Sequence, residues 1–189
     1  MGSSVLSIEE AIAEVAADVD AMFDALLAIP ADARAKLFEA MRHAAMGGGK
    51  RLRPLLVIAT ASIFNVARTQ SIRAGTAVEA IHVYSLVHDD LPCMDDDDLR
   101  RGKPTVHKAF DEATAVLAGD SLHALAFEIL SDPETHPDPF TRGEMIATLA
   151  KASGPDGMAG GQMMDLEAEK SSFDLPTVTR LQALKTGAL

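Results

Sequence analysis

Apolar residues recur at helical spacing along the chain. Ile8, Ile12, Val15, Val19, Met22, Phe23 and Leu26 form a first stripe, opened by Ser7 and Glu10 at capping-box spacing and ended near Pro30. Asp32 is placed to cap a second helix carrying Leu37, Phe38, Met41 and Ala45, which Gly47, Gly48 and Gly49 stop. Residues 55–64 predict a buried helix, 65–69 a turn, and 74–87 a nearly apolar helix. Asp111 predicts the start of a helix bearing Leu117, Leu122, Leu125, Ile129 and Leu130. The proline-marked stretch 132–140 reads as a surface loop. A further helix carries Met145, Ile146 and Leu149. In 157–165 the small residues allow close helix approach, Gln162 and Asp165 share a face, and the methionines read as core filler. Residues 174–189 predict a last helix with Val178, Leu181 and Leu184 inward.

Composition agrees with an all-α reading, since hydrophobic residues make up 48% and aromatics only 4%. At 189 residues the chain is expected to be a single domain, 1–189. A formal net charge of −11 argues against nucleic acid as a partner, because the average surface field repels phosphate backbone. Cys93 is the only cysteine, so no internal disulfide forms and a reducing compartment is expected. The apolar stretch 55–64 is too short to span a bilayer. The N-terminus is acidic, and Leu6 stands where a myristoylated Met1-Gly2 start needs Ser or Thr. These features predict a cytoplasmic protein without membrane insertion.

Chemistry concentrates between His88 and Pro104. Asp89, Asp90, Asp95, Asp96, Asp97 and Asp98 fall within ten residues, directly before Arg100, Arg101 and Lys103. Asp89 and Asp95 cannot stack on one straight helix, but Pro92 breaks the backbone pattern between them and can return the second carboxylate to the first. Such a pair suits Mg2+, which takes one or two carboxylates, several waters and phosphate oxygens. An EF-hand is excluded by the missing glycine and glutamate. The bland alternative is an acidic loop neutralised by its own arginines.

A second basic stretch, Gly48-Gly49-Lys50-Arg51-Leu52-Arg53-Pro54, combines glycines that admit close approach with Lys50 as a point charge and Arg53 as a planar fork. It reads either as a diphosphate cradle or as a glycine cap before a basic helix start. It is not a P-loop, because Arg51 follows Lys50 where Ser or Thr is required. His82 shares a helical face with Asp89, and Tyr84 lies one and a half turns before Asp89. Lys185, set in an apolar pattern, needs an anionic partner or an exit to water.

Taken in order, the stretch 48–54, His82, Asp89-Asp90 with Asp95, the run 99–102, Gly161-Gln162 with Asp165, and Lys185-Thr186-Gly187 resemble the trans-prenyltransferases, or polyprenyl diphosphate synthases. The form of 88–98 is most similar to the bacterial farnesyl diphosphate synthases. The resemblance implies an isoprenoid-synthase-type helical bundle around a central cavity, with the C-terminal helices absent. It also implies Mg2+-dependent head-to-tail condensation of isopentenyl diphosphate with dimethylallyl or geranyl diphosphate, and a homodimer. Isopentenyl diphosphate would be held by Gly49, Lys50, Arg53, His82 and Arg101. Arg100, Lys185 and Thr186 would hold the allylic diphosphate, Asp89 and Asp95 would ligate magnesium, and Gln162 and Thr186 would lie near the allylic cation. Tyr84 would floor the pocket and point to a fifteen-carbon product. The family's second aspartate-rich motif has no counterpart in 1–189, so a longer enzyme or a non-catalytic prenyltransferase-like subunit are both expected readings. A helical metal phosphohydrolase built on His88-Asp89 is a distant third.

Overall fold

A computed structural model describes residues 7–46 and 48–189. The readings made at Met1, Gly2, Leu6 and Gly47 lie outside the described residues. The chain falls into two compact units, Met1–Pro137 and Asp138–Leu189.

The first unit is built on α4 (Arg68–Asp89), which packs against α1 (Ile8–Leu26), α2 (Ala35–Ala45), α3 (Leu52–Ile63) and α6 (Glu112–Ser131). Ala77, Ala80, Ile81 and Val87 of α4 meet a core that includes Ala115, Ala118, Leu122 and Ile129 of α6, all buried. The capping box at Ser7 and Glu10 forms as expected, and Val15, Val19 and Phe23 of α1 are buried. Asp111 caps α6 by accepting from the Thr114 N–H at 2.7 Å. Between α4 and α6 lie a two-residue antiparallel hairpin, β1 (Leu99–Arg100) with β2 (Lys103–Pro104), and the short α5 (Val106–Ala109). The all-α character therefore holds, with one small hairpin that the helical pattern did not announce.

Several local expectations are corrected. Asp32 does not cap α2; it accepts from the Arg34 backbone N–H and guanidinium, and the helix begins at Ala35 without a side-chain cap. Residues 55–64 are not buried: in α3 only Pro54 and Ile58 are, while Leu56 and Ile63 are 66% and 74% exposed. The helix predicted from Ala74 begins at Arg68, because packing of Ser71, Arg73 and Gly75 overrides the weak local signal. α6 is long and apolar enough to cross a membrane by length and composition, unlike the shorter 55–64 stretch, and it serves as a core helix of this unit.

In the second unit, α7 (Pro139–Ser153), α8 (Met158–Ala168) and α9 (Leu175–Gln182) are followed by a π-helical turn, Ala183–Gly187. The continuous helix expected over 174–189 is thus interrupted, and only Leu181 of its inward set is buried. Gly161 explains the packing, since a Cβ there would overlap the Lys185 backbone nitrogen. Met158 is buried as expected of a core methionine, whereas Met163 is largely exposed.

Candidate active site

α4 ends at Asp89 and the chain turns back on itself. Leu91 donates to the His88 carbonyl at 3.2 Å, Met94 to Leu91 at 2.8 Å, and Asp95 to the Asp89 carbonyl at 2.9 Å. The turn at Pro92 thereby returns Asp95 to Asp89, as the sequence suggested. Three of the other four aspartates have side-chain partners. Asp90 is buried and accepts from Arg100 Nε at 2.7 Å, Asp97 lies 3.3 Å from the same guanidinium, and Asp98 pairs with Lys108 at 2.8 Å. Thr105 donates to the Asp97 carbonyl at 2.8 Å, pinning the loop's far end. Arg100, expected to face a diphosphate, is thus held by Asp90, which also raises its pKa.

The hairpin turn places Arg101 at φ 54° and Gly102 at φ 77°, the pair of positive values that a two-residue type I′ connection requires. Arg101 reaches back to donate to the Gly48 carbonyl, and its guanidinium lies where a Cβ on Gly49 would fall. Glycine at 49 is therefore demanded by close approach as well as by its φ of 147°. Lys50 is exposed beside it, and Arg53 is half-buried in the first turn of α3. His82 is held down to a pKa of about 4, first by burial, then by Arg53, against an opposing Glu79 and with smaller lowering contributions from Arg101 and Arg100. A histidine so placed is neutral at pH 7 and sits in a net positive field. Arg53, His82 and Arg101 are therefore brought within electrostatic reach of one another.

The sequence reading passed over Arg51. Its guanidinium is buried, bonding Glu79 at 2.8 Å, Asp20 at 2.6 Å and the Ala45 carbonyl. The available signal was Glu79, an acid in a nearly apolar helix that requires a buried partner.

Tyr84 is half-buried and packs edge-on against His88 at 5.8 Å and His123 at 4.8 Å, with burial and Asp89 raising its hydroxyl pKa. A cleft in the first unit is lined by His43, Leu86, Asp90, Arg100, Arg101 and Lys103, among others. In the second unit, Lys185 on the π-turn pairs with Asp165 of α8, the anionic partner its position called for. Gln162 is half-buried three positions before Asp165, and Thr186 is exposed.

Asp89 and Asp95 offer two hard oxygen donors joined by one backbone hydrogen bond, a set that fits a hydrated Mg2+ completed by phosphate oxygens. Among the described residues no group of three or more His, Cys, Asp or Glu could hold a metal. His88 Nε2 lies 3.1 Å from the Val116 carbonyl.

Residues 34–189 match the family model described as polyprenyl synthetase. The chain belongs to the polyprenyl synthetase family. It is 54% identical over 153 residues to the farnesyl diphosphate synthase of Escherichia coli (strain K12), covering 80% of this chain and 51% of that one. It is 45% identical over 154 residues to a chloroplastic geranylgeranyl pyrophosphate synthase of Capsicum annuum, covering 81% and 42%. The apo crystal structure of an FPP/GFPP synthase from Zymomonas mobilis superposes with a TM-score of 0.92 at 65% identity, covering 94% of this chain and 64% of that one. The chain spans about half the length of the curated relatives it matches. The all-α architecture is shared with these solved neighbours.

Proposed function

We propose that this polyprenyl synthetase chain carries the first half of a prenyltransferase site that condenses isopentenyl diphosphate with dimethylallyl or geranyl diphosphate to give farnesyl diphosphate. The observation that supports this reading is the backbone return of Asp95 to Asp89 at the end of the helix that carries His82, which lies in the field of Arg53 and Arg101. Lys50, Arg53, His82 and Arg101, with Gly49 admitting close approach, bind the diphosphate of the homoallylic substrate. His82 stays neutral there and serves as a hydrogen-bond donor. Asp89 and Asp95 would hold Mg2+, which would supply charge neutralisation of the leaving allylic diphosphate. Arg100 adds a cationic contact to that diphosphate; Lys185, Thr186 and Gln162 of the second unit keep the roles that the family resemblance implies. Tyr84, backed by His123, limits chain growth. Relatives named for farnesyl, geranylgeranyl and FPP/GFPP products make Tyr84 the residue on which the fifteen-carbon assignment rests.

The two compact units act as one domain in this reading, because a single family model runs across both. The protein works as a cytoplasmic homodimer without membrane insertion or nucleic-acid partner; its lone cysteine supports the compartment and its acidic charge the lack of a nucleic-acid partner, while the homodimer is what the family resemblance implies. Incubation of the protein at the full length of its relatives with Mg2+, isopentenyl diphosphate and geranyl diphosphate, with chromatography of the dephosphorylated products, tests the assignment. A fifteen-carbon alcohol is expected, and the absence of any condensed product opposes it.

A further inference from the structure

The strap between α2 and α3 carries three cations in four residues, and they point to different places. Lys50 is exposed and Arg53 half-buried, whereas the Arg51 side chain is 1% exposed. It enters the protein through a left-handed backbone at φ 46°, a conformation that disfavours a non-glycine residue. Its guanidinium then bridges three elements, pairing with Glu79 of α4 and Asp20 of α1 and donating to the carbonyl at the end of α2, over the ring of Phe23. Glu79 is itself buried, with its side chain 3% exposed. It stands three positions before His82 and so lies one turn below it on the same helical face.

We propose that Arg51 is a positioning residue for the diphosphate site, acting by neutralising Glu79 beneath His82, Arg53 and Arg101 rather than by touching substrate. This inference rests on the reading of that cluster as an anion site. The charge of Glu79 is felt by both His82 and Arg101 with the sign opposed to anion binding, and Arg51 is felt by Arg101 with the other sign. A buried carboxylate left uncompensated under the cluster would oppose an incoming diphosphate, and low local dielectric would carry that field to the ligand. The pair costs a strained backbone at Arg51 and the burial of two charges, which a purely apolar contact between α3 and α4 would avoid.

The sign of the charge change distinguishes this role from plain structural support. Titration of the 189-residue chain with inorganic diphosphate, without metal, is followed calorimetrically for wild type, Lys50→Gln, Arg51→Gln, Glu79→Gln and the double variant Arg51→Gln/Glu79→Gln. Wild type is expected to bind and Lys50→Gln to bind more weakly. Arg51→Gln is expected to lose about tenfold, Glu79→Gln to gain severalfold, and the double variant to return near wild type. If Arg51→Gln does not fold, the Glu79→Gln and double-variant results carry the test. Weakening by Glu79→Gln, or a double variant weaker than wild type by as much as tenfold, overturns the inference while leaving the site reading intact. Wild type that binds no better than Lys50→Gln overturns the site reading and this inference with it.

Discussion

Asp95 donates its backbone N–H to the carbonyl oxygen of Asp89 at 2.9 Å, closing a loop that begins where α4 ends. The two residues are six apart in sequence, too far to share a helical face, and the hydrogen bond replaces the helical relation that Pro92 breaks. The closed loop keeps Asp95 exposed beside Asp89 while Asp90, Asp97 and Asp98 are tied to Arg100 and Lys108. Within one acidic run, then, Asp90, Asp97 and Asp98 hold the loop.

Asp90→Asn should therefore act on stability more than Asp97→Asn. Replacing the buried carboxylate leaves the Arg100 guanidinium without its main counter-charge, a loss of about 1–3 kcal/mol for a partly buried pair. Asp97, half-exposed at 51% and 3.3 Å from Arg100, should cost under about 1 kcal/mol. Urea denaturation of the two variants checks the ranking.

His82 makes the fold sensitive to acid. Its folded pKa of about 4 lies below the usual 6.5, so between those values the unfolded chain binds more protons than the folded one. Stability from this group is complete above pH 6.5 and is lost as pH falls toward 4. The groups acting on it are Arg53, Arg101 and Arg100 against Glu79. His82→Asn should flatten the slope of melting temperature against pH across that window. Bound diphosphate should offset the arginines and raise the His82 titration, which proton NMR of the ring reports.

Gly161→Ala should disrupt the second unit. The added methyl would meet Lys185 and Leu184 backbone, which cannot swing aside as a side chain can. A destabilisation of about 1–3 kcal/mol is expected from overpacking, together with loss of the Lys185 to Asp165 pair. Calorimetric melting of the variant tests it.

Tyr84→Ala should lengthen the products. Removing a ring wedged edge-on against His88 and His123 opens space in the line of α4 below Asp89. Chromatography should show twenty-carbon and longer alcohols, and an unchanged fifteen-carbon product would remove Tyr84 from the role of floor.

What was legible in the sequence follows from how local each signal was. The capping box at Ser7, the cap at Asp111 and the return at Pro92 depend on a few neighbouring residues and stand as read. The start of α4 at Arg68 and the exposure of α3 depend on what packs where, and periodicity cannot supply that. Arg51 was hidden for the same reason: in sequence it is one cation among three, and only the distant Glu79 and Asp20 distinguish it. The interruption of α9 by a π-turn leaves no mark in a pattern of apolar spacing, because the turn spans only 5 residues, too few to display a period.

The central claim is that Asp89 is a metal-holding carboxylate of a prenyltransferase. Its most direct test is the rate of Mg2+-dependent condensation of isopentenyl with geranyl diphosphate, compared between wild type and Asp89→Ala in the protein at the full length of its relatives. A fall of at least about a hundredfold is predicted, with the melting temperature little changed; a variant that condenses at a near-normal rate would contradict the account.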